Sequence, residues 1–230
     1  MNYYYYILFL SFIIPFLFSF HPKIKFYKEF RILIKSITFT AIPFIIWDFI
    51  FAELGVWGFN QQFITGFYLY NLPIEEVLFF FIIPFCCIFT YYIFETNHLS
   101  FFNKKDWLTF NSFIAIVLIV IAIANAPNRY TFYCFMFCAM ILLIDNYYIK
   151  IINYNYFNTV FIILFIPFFI VNGALTGLFF DQMVVWYNSA DIIGIRLITI
   201  PFEDNVYSYQ LLLLNLMFFN YYRKIEIQKS

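Results

Sequence analysis

Seven apolar segments, bounded by charged or turn-forming residues, dominate the sequence. They span residues 3–20, 32–52, 75–94, 108–125, 130–148, 157–176 and 201–222. A transmembrane helix needs about 20 mostly apolar residues, and several segments reach that length. Only 11% of the 230 residues are charged, whereas soluble domains carry about 25%. The pattern therefore predicts an all-α membrane protein with about seven transmembrane helices.

Basic residues divide unevenly between the two sides of such a bundle. Only Arg129 and Arg196 fall on one side. The other side, formed by the first, third and fifth connections and the C-terminus, carries Lys23, Lys25, Lys28, Arg31, Lys35, Lys104, Lys105, Lys150, Arg223, Lys224 and Lys229. Cytoplasmic connections are enriched in Lys and Arg. We predict a multi-pass protein of the cell membrane, with its N-terminus outside and its C-terminus in the cytoplasm. Because basic residues follow the first segment rather than precede it, we expect this segment to be a retained helix, not a cleaved signal.

An internal repeat appears at an offset of 128 residues. The matched pairs are Asn60 and Asn188, Gly66 and Gly194, Pro73 and Pro201, Glu75 and Glu203, and Glu76 and Asp204; with a gap, Trp57 also meets Trp186, and Pro43 meets Pro167. The repeat predicts two three-helix units, residues 1–100 and 129–230, joined by a linking helix within 101–128. Because the offset spans four helices, an even number, the units should run parallel, with both acidic pairs on the non-cytoplasmic side.

The two acidic pairs, Glu75–Glu76 and Glu203–Asp204, each follow a proline at the head of an apolar segment. Charged groups near hydrocarbon are costly, which favours a functional role. The alternative is structural, because proline and acidic residues both suit helix N-termini. Adjacent helical residues point about 100° apart, so one acid of each pair can face the bundle interior. We expect a site between the units with one inward acid from each, and the sequence leaves open which acid that is.

Asp48 lies inside the second apolar segment, and the Pro43–Pro167 match gives Asn172 as its counterpart. An intramembrane Asp indicates either a functional site or a satisfied polar contact. Cys134 and Cys138 share a helix face, a pattern more typical of buried thiols than of a metal site. The sequence contains no glycine-rich nucleotide motif. We therefore predict no metal, no cofactor and no nucleic-acid partner.

The 3+1+3 order, together with residues 72–76 (LPIEE) and their echo at 200–204 (IPFED), resembles the membrane-embedded lycopene cyclases. That family occurs as two small subunits or as one fused chain, and the resemblance covers nearly the whole sequence. The second copy departs from the first at Phe202 and Asp204. The resemblance implies conversion of the linear ends of lycopene, or of a similar acyclic carotenoid, to β-ionone rings. Such an enzyme is an intramolecular lyase or isomerase without net oxidation or reduction.

The resemblance also implies roles for particular residues. One acid of the first pair, Glu75 or Glu76, would protonate the terminal double bond. One acid of the second pair, Glu203 or Asp204, would act as partner and base, and Asp48 is a further catalytic candidate. The expected substrate-binding residues are Trp57, Asn60, Trp186, Asn188 and Tyr207, with Tyr68 and Tyr70 as further aromatic groups that could stabilise a cation.

Two other functions fit the same architecture. Small-solute transporters can have a parallel 3+1+3 arrangement, in which the membrane carboxylates would couple transport to protons. A non-catalytic membrane scaffold could use the acidic pairs only as helix caps. The predicted central region has few groups that would bind a polar solute, which favours the enzyme. Its expected partners are the carotenoid substrate, the lipid bilayer and other enzymes of carotenoid synthesis.

Overall fold

The structure is a computed structural model that describes residues 2–179 and 182–228. Over these ranges it contains seven α-helices, one for each predicted segment. They are Tyr3–Phe18 (α1), Phe30–Glu53 (α2), Ile74–Thr96 (α3), Leu108–Ala124 (α4), Arg129–Ile144 (α5), Tyr154–Leu175 (α6) and Phe202–Ile227 (α7). The predicted all-α membrane fold is therefore confirmed. Lys229, which entered the charge count, lies outside the described residues.

Four helical stretches in the described residues are long and apolar enough to cross a membrane. They are Phe26–Glu53, Ile74–Thr96, Arg129–Ile149 and Tyr154–Leu175. The first helix and the linking helix are also apolar but shorter, with 16 and 17 residues. Length and composition thus define a membrane protein, while the seven-pass topology and the side of each terminus stay predictions.

The helices of the two predicted units interlock. Helix α1 packs on α3, and α5 packs on α7 in the same way. The second helix of each unit also packs on the third helix of the other unit: α2 contacts α7, and α6 contacts α3. The linking helix α4 lies against α5. The centre of the bundle is consequently built from both units, although the proposed boundaries at residues 100 and 128 stay a prediction.

A pair of short antiparallel strands joins the two long loops. Strand β1 (Trp57–Phe59) pairs with β4 (Val185–Tyr187), with Gly58 opposite Trp186. The flanking hydrogen bonds, from Asn60 N to Val184 O and from Asn188 N to Val56 O, are both 2.8 Å long. In these bonds and in the central pair, equivalent residues of the two loops are 128 positions apart. Trp186 is therefore equivalent to Gly58 and not, as the gapped match had it, to Trp57. A Cβ atom at Gly58 would clash with the Trp186 ring, so a larger residue there would require that ring to move. We call this strand pair the roof.

The two loops also follow the same path into α3 and α7. Each forms a tiny hairpin directly before its helix: Tyr68–Leu69 (β2) with Leu72–Pro73 (β3), and Arg196–Leu197 (β5) with Ile200–Pro201 (β6). Gly66 and Gly194 have φ values of 82° and 83°, a backbone region that glycine adopts at little cost. The repeat seen in the sequence is thus a repeat of backbone conformation, and it brings the two acidic pairs to equivalent helix starts.

Candidate functional site

The first acid of each pair holds its own loop. Glu75 Oε1 accepts a hydrogen bond from the Thr65 amide at 2.6 Å, and Glu203 Oε1 accepts one from the Ile193 amide at 2.7 Å. Glu203 Oε1 also accepts from the Thr131 hydroxyl at 2.5 Å. Both side chains are fully buried. These carboxylates fasten the preceding loop to the helix N-terminus, where the helix dipole favours negative charge.

The second acid of each pair points toward the interior and accepts a hydrogen bond from a tyrosine hydroxyl. The Tyr4 hydroxyl of α1 donates to Glu76 Oε2 at 2.5 Å, and the Tyr130 hydroxyl of α5 donates to Asp204 Oδ1 at 2.8 Å. The two contacts are equivalent, since each joins the first helix of a unit to the third. Glu76 and Asp204 are therefore the inward acids that the sequence left undetermined.

The second helices add one polar side chain to each inward acid. Asp48, buried in α2, lies close to Glu76, and its Oδ2 has no hydrogen-bond partner among the described residues. At the equivalent position in α6, Asn172 Nδ2 donates to Asp204 Oδ2 at 2.8 Å. Two neighbouring buried carboxyl groups disfavour each other's ionisation. This pairing favours the retention of a proton by the first cluster.

Asp204 has a different environment. It accepts three hydrogen bonds, from Tyr130, Asn172 and the Tyr187 hydroxyl, the last at 3.0 Å. Burial and the nearby Asp204 carboxylate raise the pKa of Tyr187 well above its ordinary value, so its hydroxyl keeps the proton that it donates. Three donors stabilise the ionised form of a carboxylate. The geometry therefore sets two unlike clusters side by side: Glu76 with a second carboxyl group, and Asp204 with three hydrogen-bond donors.

Both clusters face a single cavity of about 290 Å³ under the roof. The helices that line it are α1, α3, α6 and α7, with single residues from α2 and α5. Along α3 its wall runs from Glu76 to Thr90, which is 14 residues or about 21 Å of helix. Apart from the polar groups at the roof end, the walls consist mainly of apolar side chains, among them Phe79, Ile83, Phe161, Leu164, Phe165, Phe168, Val171, Leu211 and Leu212. Such a cavity suits a long apolar molecule whose end reaches the carboxyl groups.

Five residues predicted from the sequence line this cavity. They are the three acids Asp48, Glu76 and Asp204 and the two aromatic residues Trp57 and Tyr207. The Tyr207 hydroxyl lies 3.5 Å from Asp48 Oδ1. The structure thus brings together one acid of each pair, the intramembrane Asp and two of the expected aromatic groups.

The other predicted residues lie outside the cavity as the described residues define it. Glu75 and Glu203 bind the loops instead. Asn60 Oδ1 accepts from the Gln62 amide and Asn188 Oδ1 from the Ala190 amide, both at 3.1 Å, so the two asparagines shape turns. Three aromatic side chains are on the outer surface, with Trp186 41%, Tyr68 45% and Tyr70 78% exposed. The structure therefore does not bring these residues to the cavity, and their predicted roles toward the substrate stay predictions.

Three tyrosines at the site, Tyr4, Tyr130 and Tyr187, were not singled out from the sequence. A signal for two of them exists at a different offset, 126, where residues 2–4 (NYY) match residues 128–130 (NRY). It was obscured by the abundance of tyrosine, with 20 in the chain. Tyr187 has no tyrosine counterpart, since Phe59 occupies its equivalent position.

The fold and the cavity together define an all-α membrane protein with buried carboxyl groups at one end of a mainly apolar cavity. The family model described as lycopene cyclase matches residues 1–94 and 127–222, most of the chain. The chain belongs to the lycopene cyclase family and is, at that level, a carotenoid cyclase. No curated protein and no solved structure matches it.

Proposed function

We propose that the protein converts the linear ends of lycopene, or of a similar acyclic carotenoid, to β-ionone rings by acid–base isomerisation. The observation that carries this proposal is the placement of two unlike carboxyl clusters on one apolar cavity. In this proposal Glu76, next to the buried carboxyl group of Asp48, carries the proton, and Asp204, which accepts from three donors, acts as the base. A reaction that adds one proton and removes another requires such a pair.

The first step uses the Glu76–Asp48 cluster as the acid. Its proton adds to the terminal carbon–carbon double bond of the chain, and the other carbon of that bond becomes a tertiary cation. Loss of that proton leaves both carboxyl groups of the cluster ionised, with no hydrogen bond between them. Tyr4, which donates to Glu76, stabilises the charge on that carboxylate. General acid catalysis of this kind contributes about 10²–10⁴ in rate.

Ring closure and proton loss complete the reaction. The electron pair of the next double bond attacks the cation, which forms the ring bond and moves the positive charge onto a ring carbon. Asp204 then removes a ring proton, and the electrons of that C–H bond form the new ring double bond. One proton enters and one leaves, so the carotenoid keeps its formula and nothing is oxidised or reduced. The proton on Asp204 must return to the first cluster before the next turnover.

The surroundings protect the cationic intermediate. The rings of Trp57, Tyr130 and Tyr187 line the cavity beside the acids, and aromatic faces attract cations. The roof and the apolar walls limit the access of water, which would otherwise trap the cation as an alcohol. A transporter of polar solutes would need hydrogen-bonding groups along the path, and the walls below the acids offer few.

Expression in a lycopene-accumulating bacterium, followed by chromatography of the pigments, tests the proposal. The wild-type chain should form cyclic carotenoids. We expect Glu76→Gln, Asp48→Asn and Asp204→Asn each to lower ring formation per folded protein about 100-fold or more. Glu53→Gln is a matched control, because this exposed acid lies at the end of α2 near the same loops. Unchanged pigments with the wild-type chain, or full ring formation by the three site variants, would refute the proposal.

A further inference from the structure

Among the described residues, α1 and α6 line the cavity along their length, whereas their counterparts α5 and α2 contribute one lining residue each. Helix α1 corresponds to α5 at an offset of 126, fixed by Tyr4 and Tyr130 on their equivalent acids. Helix α2 corresponds to α6 at an offset of 124, fixed by Pro43 and Pro167, each inside its helix. With these two offsets, each cavity-lining residue of α1 or α6 can be matched with the residue at the equivalent position of α5 or α2.

On the open side, two small side chains leave space. Ser11 of α1 and Val171 of α6 both line the cavity below Glu76. Beyond them the walls continue along α3 to Cys86, Cys87 and Thr90. Phe168, one turn before Val171, also lines this space. This half of the bundle therefore has room for a chain that reaches the acids.

On the opposite side, large aromatic residues occupy the equivalent positions. Phe137 stands in place of Ser11, and Trp47 in place of Val171. Their ring centroids lie 5.5 Å apart, and Phe44, the equivalent of Phe168, lies 5.9 Å from Phe137. Tyr207 closes the cluster, 5.8 Å from Trp47 and 5.2 Å from Phe44. The pseudo-symmetric space is filled by packed rings.

We infer that Ser11 and Val171 determine where the substrate lies: one polyene chain runs along α3 and α6, and one linear end reaches the acids in each binding event. This inference rests on the proposed function for the identity of the chain. The packed aromatic rings fill the equivalent space between α2 and α5, so a second carotenoid chain cannot enter from that side. After one end has closed, the molecule must leave and re-enter in the opposite direction for its other end to react.

Bulky replacements at the two open positions test the inference. Ser11→Phe and Val171→Trp copy the residues of the filled side into the open side. We expect each to lower cyclic carotenoid formation at least tenfold in lycopene-accumulating cells. Ile14→Phe and Ile170→Trp are matched controls, because they add the same rings at positions that are 63% and 56% exposed on the same helices. The controls should retain wild-type product levels.

A binding measurement separates this inference from the proposed function. Each replacement and each control is combined with Glu76→Gln, purified in detergent from the same cells, and scored by absorbance for co-purified acyclic carotenoid per folded protein. We expect carotenoid with the controls and at least a tenfold loss with Ser11→Phe and Val171→Trp. That result supports the inference even if the wild-type chain forms no rings, an outcome that would overturn only the proposed function. Equal carotenoid retention by the bulky variants and their controls would overturn the inference.

Discussion

Exchanging the two neighbouring acids of the second pair, one at a time, should separate stability from catalysis. Glu203 accepts hydrogen bonds from the Ile193 amide and the Thr131 hydroxyl and does not face the cavity. In Glu203→Gln the amide oxygen can still accept both, but the bonds lose their charge. Hydrogen bonds to charged groups contribute about 1.5–3 kcal/mol and neutral ones about 0.5–1.5 kcal/mol. The variant should therefore lose about 2 kcal/mol of stability.

Asp204→Asn should lose activity as well as stability. Its three accepted hydrogen bonds also lose their charge, so it should be destabilised at least as much as Glu203→Gln, but it can no longer remove a proton, so ring formation per folded protein should fall about 100-fold or more. Thermal unfolding in detergent measures stability, and chromatography of cyclic pigments per folded protein measures activity. Glu203→Gln should unfold at a lower temperature and keep its activity per folded molecule. A fully stable but inactive Glu203→Gln, together with an active Asp204→Asn, would refute the assignment of the inward acid.

Two further predictions concern the architecture. Reporter fusions after Lys105 and after Lys224 should both report the cytoplasm, because the basic residues concentrate on that side; a non-cytoplasmic signal at either position contradicts the seven-pass topology. Residues 1–100 and 101–230 expressed as separate chains should each be inactive and should form rings together, since inserted helices can associate afterwards. Ring formation by residues 1–100 alone would contradict a site shared between the units.

Much of this architecture could be predicted because its signals are local. Apolar segments give the helices, and an ungapped repeat around residues 60–76 and 188–204 gives the two equivalent loops. The 100° step between adjacent helical residues correctly predicts that one acid of each pair faces inward. It cannot say which one, because that depends on the rotation of α3 and α7, which is set by packing against α1 and α5.

The tyrosines and the asymmetry of the cavity were harder to predict, for a physical reason. Tyr4 and Tyr130 contact acids that are about 70 residues away in the chain. The first and second helices of the two units are related by offsets of 126 and 124 rather than 128, so a search at one fixed offset misses their matches. Trp47 and Phe137 look like ordinary core residues in an aromatic-rich sequence. Only their contact with each other, across two units, shows that they fill the space that Ser11 and Val171 leave open.

The roof has a consequence for the order of folding. Its strands are about 128 residues apart in sequence, and contacts with such separation form late because a long stretch of chain must first be ordered. Trp186 can reach Gly58 only after α6 has entered the bundle. Until then Trp57 and Tyr187 have no fixed places above the acids, and Asp204 lacks its third donor. We therefore expect the centre to be completed late in folding, when Trp57 and Tyr187 take their places above the acids.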